Sequence, residues 1–144
     1  MSHVAEIEIE ITDLAALAAA CRRLGFVFKE DQKSYKWYGR WAGDYPLPEG
    51  FSQEDLGRCD HAIQVPGADY EVGVVSARQR GAGYRLLWDF WCQGGLTERL
   101  GRKAEKLVQA YGVEKAKREA RKQGFSVYET ARADGTVRLT LTRR

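Results

Sequence analysis

The chain has 144 residues, 44% hydrophobic and 30% charged, a balance that fits one soluble globular domain over residues 1–144. No apolar run approaches the ~18 residues of a bilayer span, and the opening Met-Ser-His-Val-Ala-Glu lacks the apolar core of a secretory signal, so a soluble, cytoplasmic protein with no membrane partner is expected. Three cysteines (Cys21, Cys59, Cys92), widely spaced and without a C-x-x-C pair, argue against a disulfide framework.

The net charge of +3 is unevenly spread. Residues 1–72 carry 7 Lys/Arg and 13 Asp/Glu, net −6; residues 73–144 carry 16 and 7, net +9. This asymmetry admits an acidic partner on the C-terminal half, or two halves that neutralise each other on folding.

Glu6-Ile-Glu-Ile-Glu-Ile11 alternates strictly and predicts a strand with Ile7, Ile9 and Ile11 on one face. Thr12 or Asp13 then caps a helix whose Leu14, Leu17, Cys21 and Leu24 recur at helical spacing, with Gly25 just past its end. Phe26 to Lys29 begins a second strand, and Ser34 to Tyr38 continues or pairs with it. From Tyr35 to Tyr45 five Trp and Tyr residues are interleaved with Gly, Arg and Asp, a mix too Gly-rich for a helix and too irregular for a strand. A loop of this kind is held by its own side chains or by a partner. Ser52-Gln-Glu-Asp55 has capping-box spacing.

His61 to Val65 and Tyr70 to Val75 predict a hairpin about Pro66-Gly67. Tyr84 to Trp91 carries large residues on both faces, as an interior strand covered on two sides would. A long helix is expected from Leu96 to Gln123, with Gly112 as a weak point that splits it in two. A terminal hairpin follows, Phe125 to Ala131 and Thr136 to Thr142, turning at Ala133-Asp134-Gly135 and burying Val137, Leu139 and Leu141. The element order predicts an α+β fold: an antiparallel sheet with two main helices on one side, sketched as a ferredoxin-like sandwich with a central strand-and-loop insertion.

Met1-Ser-His3, Asp13-Leu14, Trp41-Ala-Gly-Asp-Tyr-Pro46, Asp55-Leu-Gly-Arg-Cys-Asp-His-Ala-Ile63 and Tyr70-Glu-Val-Gly-Val-Val75 together resemble domain-of-unknown-function family 1257. That family includes the hypothetical chloroplast reading-frame 35 proteins of plastids and cyanobacteria, with bacterial and phage-borne relatives. The resemblance implies a small soluble protein and brings no catalytic residues with it. It also implies a role within an assembly, with a ferredoxin-like carrier or an AAA-class ATPase as the expected kind of protein partner.

Cys59-Asp60-His61 is the densest set of ligand-type side chains, and with His3 it offers zinc or iron donors if the strand ends meet. A buried cysteine and a hydrogen-bonded histidine are the simpler account, and neither a metal nor a cofactor is expected. As a catalytic set, Cys59 would be the thiolate, activated by His61 or His3 and oriented by Asp60 or Asp44. Arg78-Gln-Arg80-Gly-Ala-Gly83 offers guanidinium forks for a phosphate or is a hairpin connection with two solvated arginines. The helix after Leu96 is rich in Lys and Arg, either tracking an acidic partner or pairing with its own glutamates. Trp37, Tyr38, Trp41 and Tyr45 are binding anchors or fold back as a small core beneath the loop.

The expected function is therefore non-catalytic. The chain reads as a binding or adaptor protein whose aromatic loop (Trp37, Tyr38, Trp41, Asp44, Tyr45), Arg78, Arg80 and basic C-terminal half engage an acidic protein or nucleic acid. The alternative is a small enzyme or phosphate-ligand-binding protein with its site among Asp44, Cys59, Asp60, His61 and the Arg78–Gly83 loop.

Overall fold

A computed structural model describes residues 3–43, 45–77 and 83–143. Its elements are β1 (Val4–Ile11), α1 (Leu14–Leu24), β2 (Val27–Lys29), β3 (His61–Gln64), β4 (Glu71–Ser76), β5 (Tyr84–Asp89), α2 (Leu96–Leu100), α3 (Glu105–Lys122), β6 (Phe125–Ala131) and β7 (Val137–Arg143). The fold is α+β. Five strands form a sheet in the order β1-β5-β4-β3-β2, every neighbouring pair antiparallel, and β6 and β7 make a separate two-stranded sheet. A ferredoxin-like sandwich would bring the strand after the last helix back to β1. Here β6 pairs with β7 instead, and β1 stays at the sheet edge.

Side-chain alternation assigns the two faces. Ile7 and Ile11 of β1, Ile63 of β3, Val72 and Val74 of β4, and Leu86 and Trp88 of β5 pack with Leu17 and Cys21 of α1, Leu96 and Leu100 of α2, and Leu107 and Tyr111 of α3. The opposite face carries Val4, Ala62 and Leu87, covered by Tyr35, Leu56 and Cys59 from the long β2–β3 connection. β5 is thus buried on both sides, as its aromatic alternation implies.

The α1 boundaries follow local chemistry. The Asp13 side chain accepts from Ala16 N at 3.1 Å, and Gly25 closes the helix at φ 79°, where a side chain would be strained. The following helix breaks at a different glycine from the one the sequence suggests. Gly112 lies inside α3 with open space beside it, whereas Gly101, at φ 96° and ψ 162°, separates α2 from α3. Such a backbone conformation excludes other residues, while a solvent-facing helix glycine costs only about 1 kcal/mol.

The terminal hairpin forms as its turn residues predict, but it is not deeply buried. Val137 and Leu139 are half-buried and Leu141 is 48% exposed, because a two-stranded sheet packs chiefly on α3. Its anchor is electrostatic: Glu129 takes Arg23 and Lys117 together, and Lys117 also holds Glu114 at 3.0 Å. Arg23 first, then Lys117, pull the Glu129 carboxyl down to about 2 from an ordinary 4.5. A depressed carboxylate stabilises fully above 4.5 and loses that contribution as pH falls through about 2. Glu129→Gln should therefore cost about 1–2 kcal/mol at neutral pH. Thermal unfolding across the acid range should show the gap to wild type closing towards about pH 2.

Candidate functional site

The connection from residue 30 to residue 60 crosses the second sheet face, and buried charged groups of the sheet tie it down. Lys36 N donates to Glu71 Oε1 at 3.0 Å, and Glu71 N donates back to Lys36 O at 2.9 Å. Asp89, fully buried at the end of β5, accepts from three backbone amides: His3 N at 3.0 Å and Trp91 N at 3.1 Å on Oδ1, and Tyr38 N at 3.1 Å on Oδ2. One carboxylate thereby joins the start of β1, the end of β5 and the aromatic loop. At the other end of β5, buried Arg85 donates through Nη2 to Glu6 Oε1 at 2.7 Å and to Glu49 O at 2.9 Å, with the Phe51 ring 4.5 Å from its guanidinium carbon.

The loop aromatics divide into an inner and an outer set. Tyr35 is buried on the sheet, and burial pushes its phenol up to about 12. Trp37, Trp41 and Phe51 pack beside it as half-buried members of the second core. The fold-back reading thus holds for Trp37 and Trp41. Tyr38, half-buried, and Tyr45, exposed, lie outside that core. Tyr45, 40% exposed, meets the Phe90 ring edge-on at 4.9 Å and lies 5.7 Å from the His3 ring, while Tyr38 meets Trp91 edge-on at 5.4 Å. His3 also stacks on Phe90 at 5.2 Å.

Cys59, Asp60 and His61 do not converge. β3 begins at His61, so the irregular backbone before it sends Cys59 into the loop-side core, while His61 lies on the helix-side face between Phe28 and Tyr84. His61 Nδ1 accepts from Asp31 N at 2.9 Å, and the Cys59 thiol donates to Gln32 O at 3.2 Å. Asp60 Oδ2 accepts from Ser76 N at 2.8 Å. His3 adjoins Phe90 at the far end of β5 from Tyr84, which separates the two imidazoles by the length of that strand. Among the described residues no group of three His, Cys, Asp or Glu side chains is placed to hold a metal ion. Asp44, Arg78, Arg80 and residues 81–82 of the Arg78–Gly83 loop lie outside the described residues.

Burial raises the Cys59 thiol to about 11 and the Cys21 thiol to about 12. At such values both thiols are protonated at neutral pH, the less reactive form of cysteine. Iodoacetamide should therefore alkylate exposed Cys92 at least about a hundredfold faster than either, read by peptide mass spectrometry under native conditions. Prompt labelling of Cys59 would contradict its buried, protonated state.

A cavity of about 600 Å³ opens between the loop and the β4–β5 ends, lined by Phe51, Arg58, Cys59, Asp60, Ser76 and Arg85 among others. It holds two of the expected site residues, Cys59 and Asp60, but not His61. The residues that organise this face, Asp89, Glu71 and Arg85, are absent from the sequence-based set. Their one signal is the placement of Arg85 and Asp89 within an otherwise apolar alternating strand, where a charge needs a buried partner.

Among the described residues no helix is long and apolar enough to cross a membrane. No curated protein and no solved structure matches the chain. The family model described as Protein of unknown function (DUF1257) matches residues 48–140, from the end of the aromatic loop through β3, β4, β5, α2 and α3 into β7. Over that majority of its length, and by the resemblance its motifs carry, this chain belongs to the DUF1257 family.

Proposed function

We propose that this protein is a non-catalytic binding or adaptor protein that grips an acidic protein partner through the outer aromatic set. The observation that carries this reading is Tyr45, exposed on a platform of Phe90 and His3 while its loop is pinned to buried Asp89 through Tyr38 N. Rigid, half-exposed rings lose little conformational entropy on binding and supply most of the energy in interfaces. Exposed Arg102, Lys106 and Arg121 form no ion pair among the described residues, whereas Arg23, Lys117 and Arg118 are held by acids of the fold. The unpaired set supplies the positive field that favours an acidic partner, such as a small electron carrier, or a nucleic acid.

The test is affinity isolation from the host with wild-type bait beside Tyr38→Ala/Tyr45→Ala and Cys59→Ala baits, followed by reconstitution of the recovered partner. The partner should be kept by Cys59→Ala and lost, by about 2 kcal/mol or more in affinity, with the tyrosine pair. Loss with Cys59→Ala alone would instead favour the second reading, a small ligand held in the 600 Å³ cavity. Elution from a polyanion column at low salt would remove nucleic acid from consideration.

A further inference from the structure

We infer that β1 of one copy pairs edge to edge with β7 of a second copy, making the protein self-associate through an acidic strand and a basic one. β1 is the terminal strand of the five-stranded sheet, eight residues long, and β7 is an edge of the two-stranded sheet, seven residues long. An edge strand exposes a row of backbone donors and acceptors that a second strand can complete.

The side chains of the two strands match in period and sign. β1 directs Ile7, Ile9 and Ile11 to the helix-covered face and Glu8 and Glu10 to the other, both glutamates exposed. β7 alternates Val137, Leu139, Leu141 and Arg143 with Arg138, Thr140 and Thr142. Aligned beside β1, the leucines continue the isoleucine row and Arg138 falls on the glutamate side. A cavity of about 580 Å³ is lined by Glu6, Glu8, Ile9 and Glu10 of β1 together with Ala77, Tyr84 and Arg85. Leu141, 48% exposed in the isolated chain, would gain the apolar neighbours it lacks. Like-with-like pairing is opposed on both strands. Two β1 edges would set glutamates against glutamates and two β7 edges Arg138 against itself, so charge selects the mixed pair. Each copy offers one strand of each kind, so the contact can recur from copy to copy.

The test is the association state at about 100 µM by sedimentation, at low and high salt. Wild type should associate at low salt and dissociate as salt rises, since the selecting charges are exposed. Glu8→Lys/Glu10→Lys and Arg138→Glu, each confirmed folded by circular dichroism, should be monomeric alone, with affinity reduced about tenfold or more. Mixing the two should restore association, because each then presents the edge the other needs. A wild-type monomer at low salt would overturn the inference. So would association indifferent to both charge reversals, or two folded variants that fail to associate on mixing. If a variant does not fold, the salt dependence of the wild type decides, a salt-independent oligomer counting against the pairing.

Discussion

Asp89→Asn should destabilise the protein by about 2–3 kcal/mol, and Asp89→Ala by about 4 kcal/mol, although the residue touches no solvent. Both carboxylate oxygens accept backbone N–H groups, so asparagine must turn an amide donor towards another donor at Tyr38 or at His3 and Trp91. Alanine leaves all three amides without an acceptor and opens a cavity besides. The loss should show in denaturant titration, and local loosening should show as a red shift of Trp emission, since Trp37, Trp41 and Trp91 all sit near the released segment. A cost below about 1 kcal/mol would mean that the loop is held by ring packing alone. Because Asp89 positions Tyr38, and through the same segment Tyr45, partner binding should fall in the asparagine variant even where it stays folded.

Gly73→Ala should cost about 2–3 kcal/mol, a large effect for a single methyl group. Gly73 sits mid-strand in β4 opposite Ala62 of β3 and Leu87 of β5, with Tyr35 lying across it. A Cβ at Gly73 would come within 2.4 Å of Tyr35 Cδ1, so the ring must lift and carry the start of the loop with it. The double-mutant cycle isolates the cause. In a Tyr35→Ala background the glycine substitution should become nearly neutral, giving a coupling of about 2–3 kcal/mol. Additive losses would place the cost in the strand backbone instead. Asp89 and Gly73 thus act on the same segment by different physics, a buried charge that demands donors and a bare backbone that admits a ring.

Much of the scaffold was legible beforehand. Asp13 and Gly25 bounded α1 because a cap and a left-handed stop are local requirements, and the β6–β7 turn followed from Ala133-Asp134-Gly135. Gly101 and Gly112 could not be ranked from sequence, since what separates them is the backbone angle the packing of Leu100 and Leu107 imposes. Cys59 and His61, adjacent in pattern, parted because the strand begins at His61, and register is a property of the whole sheet.

Composition and periodicity by themselves determined that this chain builds an antiparallel sheet with helices on one face and carries an aromatic loop, because burial periods of two and 3.6 are written residue by residue. Only the tertiary structure decided which rings join the second core and which lie outside it. That depends on where Glu71 and Asp89, 18 positions apart in the chain, come to lie beneath residues 36 and 38. Contacts across such separations arise from strand order and register, which no local window contains.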